Sequence, residues 1–323
     1  MKNFIKSLLI LFFFLWTSVA NAAPTLDDIG SVEQGFKRFQ NTTSTYVDAA
    51  INSAAVQHDV MLLFNFFAVL LVIWTMYLYA FGKGTLVDLL STAILIMIVK
   101  VLMGQFTILT GAIWSAANGF ASDVQAGLLG TGDLFFAPAF IYNLIDSIFF
   151  QSNSNFSLVG SVLSAIYIAI VSGISLVLSV LAYFAAIWSF WGFSIAKLIG
   201  LLFVPFLLYE RLSWLFDGWL RFFFAFIVYA IISRLNLALV AMAFASYFQV
   251  TPSLGTQPVV TVPPITALSD VFGLLVFALV GVLALLSTGS FVSTIVGGSA
   301  ASTGIGSMLS KSVSKLAGKA LGG

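Results

Sequence analysis

From Phe156 to Leu208 the chain runs for 53 residues with a single charged side chain, Lys197. A stretch of that length and character cannot be a soluble core helix, because water offers it nothing to lie against. It is long enough to cross a bilayer, which takes about 20 apolar residues. Further runs repeat the theme. Val60 to Phe81 carries no charge, Leu86 to about Thr110 carries only Asp88 and Lys100, and runs near Phe222–Phe248 and Val271–Val292 follow. Only 8% of the 323 residues are charged, against about 25% in an ordinary soluble domain. Lipid must therefore be the solvent for much of the molecule, and in lipid only helices or closed barrels satisfy their own backbone. Apolar runs of this length predict an all-α, polytopic membrane protein.

The N-terminus predicts a cleaved signal peptide over residues 1–22. Lys2 and Lys6 precede a short apolar core from Leu8 to Trp16, and Ala20-Asn21-Ala22 supplies the cleavage pattern. Residues 23–59 are polar enough for water, with Ile29, Val32, Phe36 and Phe39 at helical spacing, and read as a periplasmic helical arm. Spans one and two occupy 60–117, around the turn Gly82-Lys83-Gly84-Thr85. Residues 118–155, rich in Gly, Ser and Asn and free of Lys and Arg, read as a periplasmic loop. Spans three to five fill 156–298, and a cytoplasmic basic tail with Lys311, Lys315 and Lys319 ends the chain at 299–323.

Orientation follows from the distribution of basic residues. With the N-terminus outside, Lys83, Arg211, Arg221 and the tail fall inside, while the loops 118–155 and 250–268 carry no Lys or Arg. Residues 156–208 then begin outside and end inside, so they make an odd number of crossings. Three would need about 60 residues plus turns; one crossing remains, about 157–188, for a total of five. The leftover segment at 191–221, broken by Pro205 and holding Trp191, Trp214 and Trp219, is expected along the cytoplasmic face.

Chemistry is limited by what is missing. There is no cysteine, and His58 is the sole histidine, which removes thiolate chemistry and the usual His-based metal and acid–base sites. Gly130-Thr131-Gly132-Asp133 has the spacing of an intramembrane aspartyl protease motif but lacks a partner Tyr-Asp, so it reads as a glycine-rich turn. Gly82-Lys83-Gly84-Thr85 lacks the first glycine of a phosphate loop, and Gly173-Ile174-Ser175 is followed by Leu176 where a rhomboid-type serine site needs glycine. No catalytic constellation, cofactor site or metal site is expected. Lys100 and Arg234 are intramembrane charges, each roughly 20 Å from its cytoplasmic end, and must either face the bundle interior, water or a partner, or snorkel to the headgroups. Ser161, Ala165, Ala169 and Gly173 form a small-residue stripe suited to close helix contact.

Ala196-Lys197-Leu198-Ile199-Gly200, Pro205-Phe206-Leu207-Leu208 and Phe216-Asp217-Gly218-Trp219-Leu220-Arg221 together resemble the most preserved block of the VirB/TrbL family. These are polytopic inner-membrane subunits of type IV secretion and conjugation systems. The resemblance is specific over about residues 185–245 and architectural elsewhere. It implies a non-enzymatic channel or platform subunit in the inner membrane, a homo-oligomer (a pentamer by the resemblance). Its partners would be a minor pilin stalk subunit, pilin, other inner-membrane secretion subunits, separate ATPases, translocating DNA or protein, and membrane lipid. Pro205 and Trp219 carry over as structural determinants; Arg221, in the same block, and Gly173, from the small-residue stripe, are expected to be further assembly residues. A small-solute permease is the alternative; an odd span number, no internal repeat and no acidic residue at mid-span argue against it.

Overall fold

The structure, a computed structural model, describes residues 26–151, 158–248 and 268–296. The signal peptide, the loop 250–267 and the basic tail lie outside the described residues. Among the described residues all regular structure is helical. The chain falls into two compact units, 1–42 and 43–323. In the first, Glu33 and Lys37 form an ion pair one turn apart. Apart from the first part of α1, everything below concerns the second.

Helix α1 spans Leu26–Ile51. After a two-residue break, Ser53 caps α2, Ala54–Ala80, by accepting from the Val56 N–H at 3.4 Å. A tight turn follows in which Gly82 takes φ +67°, a conformation glycine adopts without penalty. Thr85 then starts α3, Leu86–Gly104, with a capping box: its N–H donates to Asp88 Oδ2 at 2.7 Å while its hydroxyl accepts from the Asp88 N–H at 3.3 Å. The two helices are tied toward this turn by Thr75 and Thr92, hydroxyl to hydroxyl at 3.1 Å.

The chain does not become a loop after α3. It kinks at Gln105 and continues as α4, Phe106–Leu129, then a turn, then α5, Phe136–Gln151. The expected loop at 118–155 is thus helical through residue 151, and the Gly/Ser/Asn composition misled for a physical reason. Ala117, Ala121, Gln125 and Leu129 recur every four residues and are buried as one face of α4, where small side chains let helices approach closely.

Helix α6 runs without a break from Leu158 to Phe203, 46 residues or about 70 Å. Two 3-10 turns, Val204–Leu208 and Glu210–Leu212, reverse the chain into α7, Ser213–Tyr247; α8 is Leu268–Val296. Helix α7 is central and packs against α4, α5, α6 and α8. Among the described residues five stretches are long and apolar enough to cross a membrane: Ala54–Ala80, Leu86–Gly104, Leu176–Leu208, Glu210–Tyr247 and Phe272–Val296. The protein is thus polytopic and all-α.

Candidate functional site

Within the segment 191–221, expected along the cytoplasmic face, Pro205 and Trp219 lie in an internal junction. Helix α6 ends because Pro205 has no N–H to continue it, and Pro205 starts a 3-10 turn that is itself buried. Phe206 then meets Phe67 of α2 with ring centroids at 5.4 Å, and Tyr209 stacks on the same Phe67 at 6.3 Å. The turn is thereby wedged against the middle of the α2–α3 pair.

Trp219 is 7% exposed, so neither lipid headgroups nor a partner reach it. Its indole N–H donates to the Ala196 carbonyl at 2.8 Å, and its ring lies against Phe106, Phe216 and Phe223 at 5.3–5.6 Å. The space it fills exists because residue 200 is glycine: a Cβ there would stand 2.5 Å from the indole ring and 2.6 Å from Phe106. Two turns earlier Gly192 does the same for Phe226, at 2.0 Å. The two glycines bring α6 onto α7, and they explain why Ala196, Gly200 and Trp219 belong to one block.

Beside this contact, Lys197 is buried and forms an ion pair with Asp48 of α1 at 2.5 Å. Val47 and Ile51 share a core with Phe193, Ala196 and Leu201. The end of the arm and the start of the 191–221 segment therefore lie at one level, which differs from their expected places at opposite membrane faces. Sequence spacing cannot reveal this, because 149 positions separate the two partners.

The second polar centre is Arg234 on α7. It is buried and donates to three acceptors: from Nε to Gln125 Oε1 at 2.7 Å, from Nη1 to the Asn118 carbonyl at 3.1 Å, and from Nη2 to the Gly132 carbonyl at 2.6 Å. Gln125 extends the network by donating to the Asp133 carbonyl at 2.6 Å, and Ser122 donates to Gly132 O at 3.0 Å. Of the two fates weighed for this charge, the structure shows the interior one. The Gly130–Asp133 segment is a turn, with Gly130 at φ +78° closing α4 and Gly132 so near Ser122 that a Cβ would sit 2.3 Å from its hydroxyl. A fork of five N–H donors suits this task as no other side chain does. Lys100, by contrast, is exposed and lies along α2, with Nζ 2.9 Å from Met61 Sδ and 5.4 Å from the Phe64 ring centre.

Of the remaining expected residues, Arg221 is exposed on α7, one half-turn beyond Trp219. Gly173 stands apart from the junction, and a Cβ there would meet nothing within 4 Å. Reading the sequence missed Gln125, Gly192, Gly200 and Asp48 as contributors. The four-residue rhythm of Ala117, Ala121, Gln125 and Leu129 was the one available signal for the first. Among the described residues no three His, Asp or Glu side chains gather to hold a metal.

Residues 68–288 match the family described as TrbL/VirB6 plasmid conjugal transfer protein. No curated protein matches the chain. The matched region takes in two thirds of the sequence and includes Gly192, Gly200, Pro205, Trp219 and Arg234. The chain belongs to the TrbL/VirB6 family and is thereby a membrane-spanning component of a conjugal-transfer, type IV secretion apparatus.

Proposed function

We propose that this TrbL/VirB6 family chain is a non-enzymatic platform subunit of the bacterial inner membrane. Stalk and pilus subunits assemble on it, DNA or protein substrate passes it, and separate ATPases supply the energy. The observation that carries this reading is the extent of the family match, from mid-α2 to the C-terminal half of α8. The geometry fits the role: the internal polar groups are spent on holding helices together. In-frame deletion of the gene should abolish conjugal transfer, and the wild-type chain should restore it. Arg221→Glu, on an exposed face, should lower transfer without lowering the amount of protein in the membrane. A deletion strain that still transfers but loses uptake of a small solute would replace this reading with a permease.

The N-terminus is placed in the periplasm and the C-terminus in the cytoplasm. Supporting this, α2 and α6 run parallel where they meet. Gly200 lies against Phe106, just past the end of α3 and so level with the start of α2, and Phe206 lies against Phe67. The turns at 81–85 and 204–212 therefore point to the same side, the side on which Lys83 and Arg211 are expected. Reporter fusions at Gln151 and Gly255 should be active in the periplasm, and one after Gly323 in the cytoplasm. A periplasmic C-terminus would overturn the assignment.

A further inference from the structure

The later helices are joined to one another by buried polar bonds, whereas the α2–α3 pair is held to them by apolar packing. Arg234 ties α7 to α4 and to the α4–α5 turn, and the Trp219 indole ties α7 to α6. Asn236 of α7 donates through Nδ2 to the Ala284 carbonyl and, at 2.9 Å, to Thr288 Oγ1 of α8. Parting any of these joints strands buried polar groups, at about 1–3 kcal/mol for each. The α2–α3 pair, by contrast, packs chiefly on the 204–208 turn. Phe64, Phe67, Val99 and Met103 share an apolar core there with Val204 and Leu208, and Phe206 leans on Phe67. Among the described residues no hydrogen bond or ion pair crosses this seam. The one side-chain hydrogen bond from the pair to a further helix runs from Gln57 Nε2 to the Ile51 carbonyl at 2.9 Å, at the elbow before α2.

The pair is stiff within itself, through the Thr75–Thr92 contact and the capping box of Thr85 and Asp88. Its buried residues gather at the end that bears the seam. Beyond Phe67 the one buried residue of α2 is Thr75, whose hydroxyl partner lies inside the pair, and those of α3 are Val99 and Met103, near its end. Both chain connections to the rest are helix breaks, at Asn52–Ser53 and at Gln105. We propose that α2–α3 is a hinged paddle. It turns as one rigid body about these two breaks, closing on and parting from the 204–208 turn, while α4 to α8 stay fixed by their polar joints. Low packing density away from the hinge is the mark of an element that moves. Lipid solvates the apolar faces that parting uncovers, and in lipid their contact is held by packing without a hydrophobic drive. The inference rests on this chain's own contacts and stands independently of the secretion reading.

The chain has no cysteine, so pairs of spin labels can be placed without background. The full-length protein is labelled, diluted with unlabelled protein in lipid bilayers, and read as distributions of electron–electron distance. One label is fixed at Trp214→Cys on α7, and the second is placed at Leu62→Cys, Val69→Cys or Met76→Cys along α2; all four side chains are exposed. Trp214→Cys with Phe120→Cys, exposed on α4 beside the Arg234 fork, gives the reference within the fixed helices. Rotation about the breaks predicts spreads that exceed the reference and grow along α2 with distance from Ser53. At 1.5 Å of rise per residue, the excess spread at 76 should be about twofold or more that at 62. A spread at 76 no wider than the reference would show the pair to be fixed. Equal excess at 62, 69 and 76 would show local looseness without a hinge, and either result overturns the paddle.

Discussion

Arg234→Leu should destabilise the folded bundle by about 3 kcal/mol or more, read as the loss of unfolding free energy of the detergent-solubilised protein. The substitution removes all three donors at once: Gln125 Oε1 and the Asn118 carbonyl lose their guanidinium partner, and the Gly132 carbonyl keeps only the Ser122 hydroxyl. Each buried acceptor left without a donor costs about 1–3 kcal/mol. Arg234→Lys should recover only part of the loss, because one ammonium cannot reach three acceptors fixed around a planar fork. The α4–α5 turn should also become the first site of proteolytic cleavage, since Arg234 ties the Gly132 carbonyl to α7 while its other donor, Ser122, belongs to α4 itself. A double-mutant cycle with Gln125→Leu should show coupling of about 1 kcal/mol or more. Simple additivity of the two substitutions would mean that the fork and the amide do not act together.

The second large effect is expected at the glycine–tryptophan contact. Gly200→Val places its first side-chain carbon 2.5 Å from the indole of Trp219 and 2.6 Å from Phe106. Neither ring can retreat freely: the indole is pinned to the Ala196 carbonyl, and Phe106 and Trp219 are both buried. Overpacking of this kind costs about 1–3 kcal/mol even where neighbours yield, and more is expected here. Trp219→Ala should lose about 3–5 kcal/mol by leaving a void. The diagnostic result is the combination. Gly200→Val together with Trp219→Leu should cost less than the sum of the single changes, because the added volume enters the space the indole vacates. Equal or greater cost in the pair would show that the two residues do not share one space.

Much of this architecture was legible from hydropathy, because the bilayer imposes a length on every span. Five apolar stretches, the turn at Gly82–Thr85 and the chain break at Pro205 all follow from residue types whose local effect is strong. The contacts were not legible, and the reason differs from case to case. Trp219 carries a polar N–H on a large apolar body, a combination equally suited to the headgroup layer and to a core with a free carbonyl nearby. Only the glycine four residues past Ala196 decides between them, and its role depends on a helix that follows later in the chain. Arg234 was recognisable as a costly charge, yet its acceptors are mostly backbone carbonyls, which every sequence has everywhere. Helix α4 was obscured because its buried face is built of alanines and a glutamine, and in lipid small residues can pack a helix where hydrophobicity does not.

The α2–α3 pair has a consequence for the order of biogenesis. Its capped turn and the Thr75–Thr92 contact need nothing outside residues 54–104, so the pair can enter the membrane as a unit as soon as it leaves the ribosome. The surface that later receives the α6–α7 turn, formed by Phe64, Phe67, Val99 and Met103, is by then complete. Phe206 follows Met103 by about a hundred residues, which at translation rates of about 5–20 residues per second takes roughly 5–20 s. During that interval the receiving surface faces lipid, and the junction closes only when the last third of the chain is being made.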